Sequence, residues 1–306
     1  MSLAEHVRHH EIGHRTLHES VRQSEFSLPR GYEPIELAGI GAFAEVWKAM
    51  ETTSGRLCAL KRLRPERCNE QIARQLIDNE SQACQAVVSR HLLKMLRSEV
   101  RAEVPYLVFE WADGRTLEDE LHVEEQLSLR RAVWIARQTA DGMRDLECAG
   151  LAHGDIKPQN IFITHQGEVK LLDLGFVRPI ILSAGRLPID EFAGTPDYLA
   201  PESLAHGVTQ PVVKDMYSLG ITLYRMLTGR LPFVGSGTSA VLIQHRQTKP
   251  TLLRRFRPEA PRELCDLVSR LLAKQPFRRP QDLRSLIREF VELELILLSA
   301  EINEAD

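Results

Sequence analysis

One short stretch limits what this chain can fold into. His153-Gly154-Asp155-Ile156-Lys157-Pro158-Gln159-Asn160 sets an Asp, a Lys and an Asn in a loop, and Asp173-Leu174-Gly175 adds a second Asp downstream. A segment of helical period precedes the loop: Ala132, Val133, Ile135, Ala136, Ala140 and Met143 form an apolar stripe between Leu129 and Leu146. Two strand-like runs follow it, Ile161 to Thr164 and Glu168 to Leu172, flanking His165-Gln166-Gly167 as a hairpin turn. A lone Asp or Asn in a loop is usually a turn or cap residue. Four polar groups at these spacings, held between a helix and a hairpin, read instead as one convergent site. Phosphoryl transfer requires such a set: a carboxylate to orient a hydroxyl, a cation for the moving phosphate, and two oxygen ligands for magnesium.

The remainder of the chain sets bounds on the context. Its 306 residues are 43% hydrophobic, enough for a substantial core. A net charge of -3 gives no reason to expect nucleic acid as a partner. The cluster Arg254, Arg255 and Arg257 reads as a solvated loop, with a docking patch as the alternative. Cys58, Cys68, Cys84, Cys148 and Cys265 form no C-x-x-C pair, so they read as reduced core thiols and not as a zinc site. The richest apolar run, Leu293 to Leu298, is interrupted by Glu294 and falls short of a membrane span. The first residues lack the basic-then-apolar pattern of a signal peptide, and a cytoplasmic location is expected.

Along the chain, residues 1–30 form a polar, His-rich leader closed by Pro29-Arg30-Gly31. Tyr32 to Ile40 and Ala44 to Glu51 look like a hairpin around a glycine turn, and Arg56 to Leu63 is a third strand. Gln71 to Val87 has helical period, while Leu92 to Ser98 and Tyr106 to Glu110 complete a five-stranded sheet. From Leu117 helices dominate, including Lys214 to Leu227, Ser239 to His245, Arg262 to Leu272 and Asp282 to Leu298. The expected division is a leader over 1–30, a sheet lobe over 31–111, a helical lobe over 112–290 and a helical extension over 291–306.

These parts, in this order, resemble the protein kinase family, from about Tyr32 to about Phe290. The compact form is similar to the bacterial, eukaryotic-like (Hanks-type) serine/threonine kinases. The resemblance implies an α+β, two-lobed fold: a five-stranded antiparallel small lobe with one main helix, and a mostly helical large lobe. It also implies ATP and Mg2+ as cofactors and proteins as substrates. Gly39-Ile40-Gly41 through Ala44 and Val46 stand where the family has its glycine-rich loop, with Ala44 in place of the third glycine. Lys61 corresponds to the lysine on the α- and β-phosphates, and Glu80, 19 residues on, to its partner, with Asp78 as a nearby alternative. Glu110 and Ala112 stand at the hinge that meets the adenine edge, and Val46, Ala59 and Phe162 where the ring is sandwiched.

On the catalytic side the resemblance gives Asp155 the substrate hydroxyl, Lys157 the transferring phosphate, and Asn160 and Asp173 the metal. Lys157 and the segment Gly194-Thr195-Pro196-Asp197-Tyr198 are similar to serine/threonine kinases, with Thr195 touching Asp155 and Lys157. Asp215 matches the helix-start Asp that steadies the loop, His153 a packing residue, and Glu202 with Arg279 a buried ion pair.

Three features depart from the pattern or stand outside it. The family usually has Arg where this chain has Gly154, and that Arg receives an activation-loop phosphate. Ser183 is the only hydroxyl residue between Gly175 and Gly194, so activation without phosphorylation of this loop is expected. His153-Gly154-Asp155 also resembles the loop of aminoglycoside- and choline-type phosphotransferases, which usually lack the loop lysine and the Ala200-Pro201-Glu202 segment. A pseudokinase scaffold has only Ala44 and Gly154 in its support. Finally, His10-Glu11-Ile12-Gly13-His14 fits a zinc-protease pattern, and His6, His10, His14 and His18 recur every four residues. Without a core of its own, and with Gly13 weakening a helix, the leader reads as packing on the small lobe or a partner.

Overall fold

The computed structural model describes residues 28–180, 195–204 and 210–305. The histidine motif and Ser183 lie outside them. The chain folds in two lobes. Strands β1 (Tyr32–Ile40), β2 (Ala44–Glu51), β3 (Leu57–Leu63), β4 (Met95–Glu99) and β5 (Tyr106–Glu110) make an antiparallel sheet in the order β1-β2-β3-β5-β4. Helix α1 (Gln71–Ala86) lies between β3 and β4 in sequence.

Side-chain alternation splits β3 between two small cores. Cys58 and Leu60 pack with Tyr32, Tyr106 and Val108 on one face. Ala59 and Leu63 pack with Ala73 and Ile77 of α1, and with Leu107 and Phe109, on the other. The register sets Val46 opposite Lys61, so Val46, Ala59 and Lys61 share the face that looks toward α1.

The larger lobe begins with β6 (Gly114–Thr116), α2 (Leu117–Glu124) and α3 (Leu129–Cys148). Thr116 caps α2 in a reciprocal box with Asp119, and Ser128 caps α3. Next come β7 (Leu151–Ala152), β8 (Ile161–Thr164), β9 (Val169–Leu171) and β10 (Arg178–Pro179). β6, β8 and β9 form one small sheet, and β10 pairs with β7. Gly142 lets β9 approach α3: a Cβ there would fall 2.9 Å from a Leu171 methyl.

Helix α4 (Pro211–Thr228) runs through the core and is buried on almost every side. Helices α5 (Thr238–Gln247), α6 (Arg262–Leu271) and α7 (Leu283–Ala305) complete the lobe, α7 along α3. The arginine cluster is not uniformly solvated. Arg257 turns inward and donates to the carbonyls of Leu127 (2.8 Å) and Leu227 (3.1 Å). Its aliphatic stem buries well, and the guanidinium supplies a donor to carbonyls just before α3 and in the last turn of α4.

Candidate active site

Two groups of polar side chains meet where the lobes face each other. In the first, Lys61 on β3 contacts Glu80 on α1 at 2.5 Å and Asp173 at 2.9 Å. Two contacts fix α1 against the Asp173-Leu174-Gly175 turn. Asn79 donates to the Gly175 carbonyl at 3.2 Å, and a Cβ on Gly175 would sit 3.2 Å from the Leu76 carbonyl. Asp78 is occupied by Gln82 at 2.8 Å, so Glu80 is the partner of Lys61.

Asp173 has φ 60 and ψ 72, a left-handed conformation uncommon outside glycine but tolerated by Asp. This backbone aims the carboxylate at Lys61. Burial works against charge at all three groups. At Asp173 the Lys61 ammonium outweighs it and holds the carboxyl below the ordinary range. At Lys61 burial is outweighed by Asp173 and Glu80, and the pKa is raised. Burial pushes Glu80 up, against the pull of the Lys61 ammonium 2.5 Å away.

The second group surrounds Asp155, which is 5% exposed. One carboxylate oxygen accepts from the Thr195 amide (3.1 Å) and hydroxyl (3.2 Å). The other accepts from Asn160 Nδ2 (3.0 Å) and meets Lys157 Nζ at 2.7 Å. Lys157 also donates to the Thr195 hydroxyl at 2.6 Å, which closes a ring of three side chains. Asn160 is placed by its own carbonyl, which accepts from the Leu172 amide at 2.9 Å, one residue before Asp173.

The loop is held from below. Asp215, at the start of α4, accepts from the amides of His153 (2.7 Å) and Gly154 (3.0 Å). Burial pushes its carboxyl up to about 7, against the pull of those donors. His153 is fully buried, and burial lowers its pKa. Its Nε2 lies 3.0 Å from the Leu172 carbonyl and its Nδ1 accepts from the Asp155 amide at 3.3 Å, so a neutral ring pins the loop to the residue after β9.

Gly154 has φ +82, and a Cβ there would fall 2.3 Å from the Phe176 carbonyl oxygen. Gly154→Ala is therefore expected to lose about 1–2 kcal/mol for the left-handed backbone alone, and more from the displaced turn. Equilibrium urea unfolding measures it. An unchanged midpoint would show that the loop carries no such constraint.

The residues expected on the nucleotide side have the following places. Gly39, Ile40 and Gly41 form the end of β1 and its turn, with the Gly41 amide donating to the Ala44 carbonyl at 2.7 Å. Val46 and Ala59 line the inner face of the sheet, and Phe162 on β8 lies against Gly114. Glu110 closes β5 and receives the Lys94 amide at 3.1 Å, with Ala112 two residues on. Donor chemistry suits a hard cation: Asn160 turns its nitrogen to Asp155, which leaves its amide oxygen, and Asp173 supplies carboxylate oxygen. No cluster of three or more His, Cys, Asp or Glu gathers to hold a metal among the described residues. Magnesium does not need one, because it takes one or two carboxylates and fills its shell with phosphate and water.

Sequence reasoning missed one constellation. Arg225 on α4 grips Glu118 on α2 through two bonds (2.7 and 2.6 Å) and the Tyr198 hydroxyl at 2.7 Å. It ties the segment after Thr195 to α2. Arg225 and Glu118 are 107 residues apart, and no local pattern signals such a pair.

A two-lobed fold with a buried Lys–Glu pair and an Asp-Lys-Thr ring defines a phosphoryl-transfer class of domain. The protein kinase domain family matches residues 32–291, and the chain belongs to that family. It is similar to a probable serine/threonine-protein kinase of Clostridium perfringens, 30% identical over 267 residues, covering 87% of this chain and 38% of that protein. A probable serine/threonine-protein kinase of Streptomyces coelicolor is 32% identical over 257 residues (82% and 38%). The PrkC serine/threonine-protein kinase of Bacillus subtilis is 27% identical over 248 residues (81% and 38%). The chain thus spans about two fifths of the length of these relatives. No helix among the described residues is long and apolar enough to cross a membrane.

Proposed function

We propose that this chain transfers the γ-phosphate of ATP, with Mg2+, to Ser and Thr hydroxyls of proteins, its own included. The observation that carries this reading is the ring in which Lys157 bridges Asp155 (2.7 Å) and Thr195 (2.6 Å). It joins the base to the segment that leads into Glu202, and Glu202 is anchored to Arg279 at 2.6 Å. A protein acceptor laid along that segment meets Asp155 directly. Small-molecule phosphotransferases have no use for the arrangement.

In this reading Asp155 receives the acceptor hydroxyl, and its four donors hold it in one orientation. Lys157 neutralises charge on the transferring phosphoryl group. Lys61, pre-set by Glu80, holds the α- and β-phosphates; the glycine turn at Gly39 and Gly41, with Ile40 and Ala44, covers them. Glu110 and Ala112 meet the adenine edge, with Val46, Ala59 and Phe162 against its faces. Asn160 and Asp173 would hold the magnesium, which supplies charge neutralisation at the phosphates. The chain's five free thiols support a reducing, cytoplasmic compartment.

The test is incubation with labelled ATP, magnesium and a generic protein substrate, alongside a panel of amino alcohols and the Asp173→Ala variant. Label is expected on protein and to be lost in the variant. Label on an amino alcohol alone, or on neither, overturns the reading.

Activation is proposed not to depend on a loop phosphate. Support comes from Gly154, which offers no cation, and from Ser183 being the only hydroxyl residue between Gly175 and Gly194. Ser183→Ala is expected to keep activity within about twofold of the parent. Abolished activity in a folded variant would end the idea.

A further inference from the structure

Helix α7 has two apolar faces, and the fold uses only one. Leu283, Leu286, Phe290, Leu293 and Leu297 are buried in the large-lobe core. A second row, Val291, Leu295, Leu298 and Ile302, follows the spacing 4, 3, 4, with exposures of 41%, 59%, 39% and 56%. Such spacing makes a continuous stripe on a helix, the seam by which two helices pair. Ser299 and Ala300 are exposed, and no described side chain after Leu297 is buried. The helix therefore continues for about two turns past its last core contact, where isolated helix is only marginally stable.

Charge along the helix is polarised. Arg284 and Arg288 stand at its beginning, exposed and in register with the apolar row. From residue 289 onward the sequence has Glu289, Glu292, Glu294, Glu301, Glu304 and Asp306, and no Lys or Arg. Glu289 and Glu294 are engaged within the chain by Arg270 and Arg137. A parallel copy would set base on base and acid on acid. An antiparallel copy sets the Arg284–Arg288 end against the acidic end twice, once at each end of the pair. The acidic row also opposes adsorption to an anionic lipid surface.

We infer that the outer face of α7 is a self-association surface, on which a second copy of this chain docks α7 antiparallel through Val291, Leu295, Leu298 and Ile302. The interface is small, so the pair is reversible and concentration-dependent. It is independent of the catalytic reading above and stands or falls separately.

Sedimentation velocity on the full chain, across a concentration series, tests it. Mass is expected to rise toward twice the monomer. Leu295→Glu, at an exposed position, should retain the parent's thermal melt and weaken association by on the order of a hundredfold. Arg284→Glu with Arg288→Glu should also weaken it. Adding Glu301→Lys and Glu304→Lys to that same chain should restore it, because only an antiparallel pair regains opposite charges at both ends. A monomer at every concentration overturns the inference, as does a dimer indifferent to Leu295→Glu. A dimer weakened by Leu295→Glu but indifferent to both charge exchanges overturns the antiparallel docking. Flotation with phosphatidylcholine vesicles is expected to leave the chain unbound; binding that Leu295→Glu abolishes would assign the face to lipid and refute the copy.

Discussion

Asp155→Asn is expected to lower phosphate transfer by about 10²–10⁴-fold while leaving the fold intact. The substitution keeps the shape of the side chain and changes its chemistry in two ways. It removes the negative charge proposed to receive the acceptor proton. It also puts an amide donor where the carboxylate had only acceptors. One oxygen of Asp155 now faces the Thr195 amide and hydroxyl, and the other faces Asn160 Nδ2 and Lys157 Nζ. Whichever way the Asn is turned, its amide nitrogen confronts a pair of donors. Local order at Thr195 should loosen, so some of the loss falls on binding of the protein acceptor. Nucleotide affinity should change little, because Lys61, Glu80 and Asp173 form a separate cluster. Single-turnover transfer and equilibrium nucleotide binding separate the two. Transfer within tenfold of the parent would remove Asp155 from the centre of the chemistry.

What the sequence made legible follows from how far apart the cooperating residues lie. The hairpin β1–β2 is readable because its glycines and its alternation are local, and the structure has Tyr32–Ile40 and Ala44–Glu51 as expected. The stripe of α3 is equally local, and only its end moved, from Leu146 to Cys148. Strand β4 begins at Met95 and not at Leu92, because Leu92 leaves the sheet to bridge Leu171 in the other lobe. Strand β6 has three residues and no period to detect; it exists because Gly114 fits against β8, where a Cβ would fall 2.2 Å from the Ile163 carbonyl. The site itself was legible through motif resemblance, since spacing alone allowed Asp78 beside Glu80. Geometry separated them. Arg257 was misread because a charge cluster says nothing of a carbonyl 130 residues away that needs a donor.

Arg279→Ala is expected to destabilise the chain by about 3–5 kcal/mol, a large part of the roughly 5–15 kcal/mol that holds a domain together. Its side chain is fully buried. The guanidinium holds Glu202 in a two-pronged grip at 2.6 and 2.7 Å. It also donates to the carbonyls of Val213 (3.1 Å) and Ala273 (3.0 Å), and lies 4.7 Å from the centre of the Tyr217 ring. Truncation strands a carboxylate that is largely buried and leaves two carbonyls without their donor. Lysine restores the charge but cannot reproduce the fork, so Arg279→Lys should recover only part of the loss. Urea unfolding of Arg279→Met, Glu202→Gln and the double variant gives the coupling. The double variant should cost less than the sum of the two single ones, since no buried charge remains to be stranded. Losses that merely add would mean that Arg279 acts through its carbonyl and ring contacts alone. Because Glu202 follows Thr195 by seven positions in the segment a protein acceptor would occupy, the same variants should raise the KM for protein more than that for ATP.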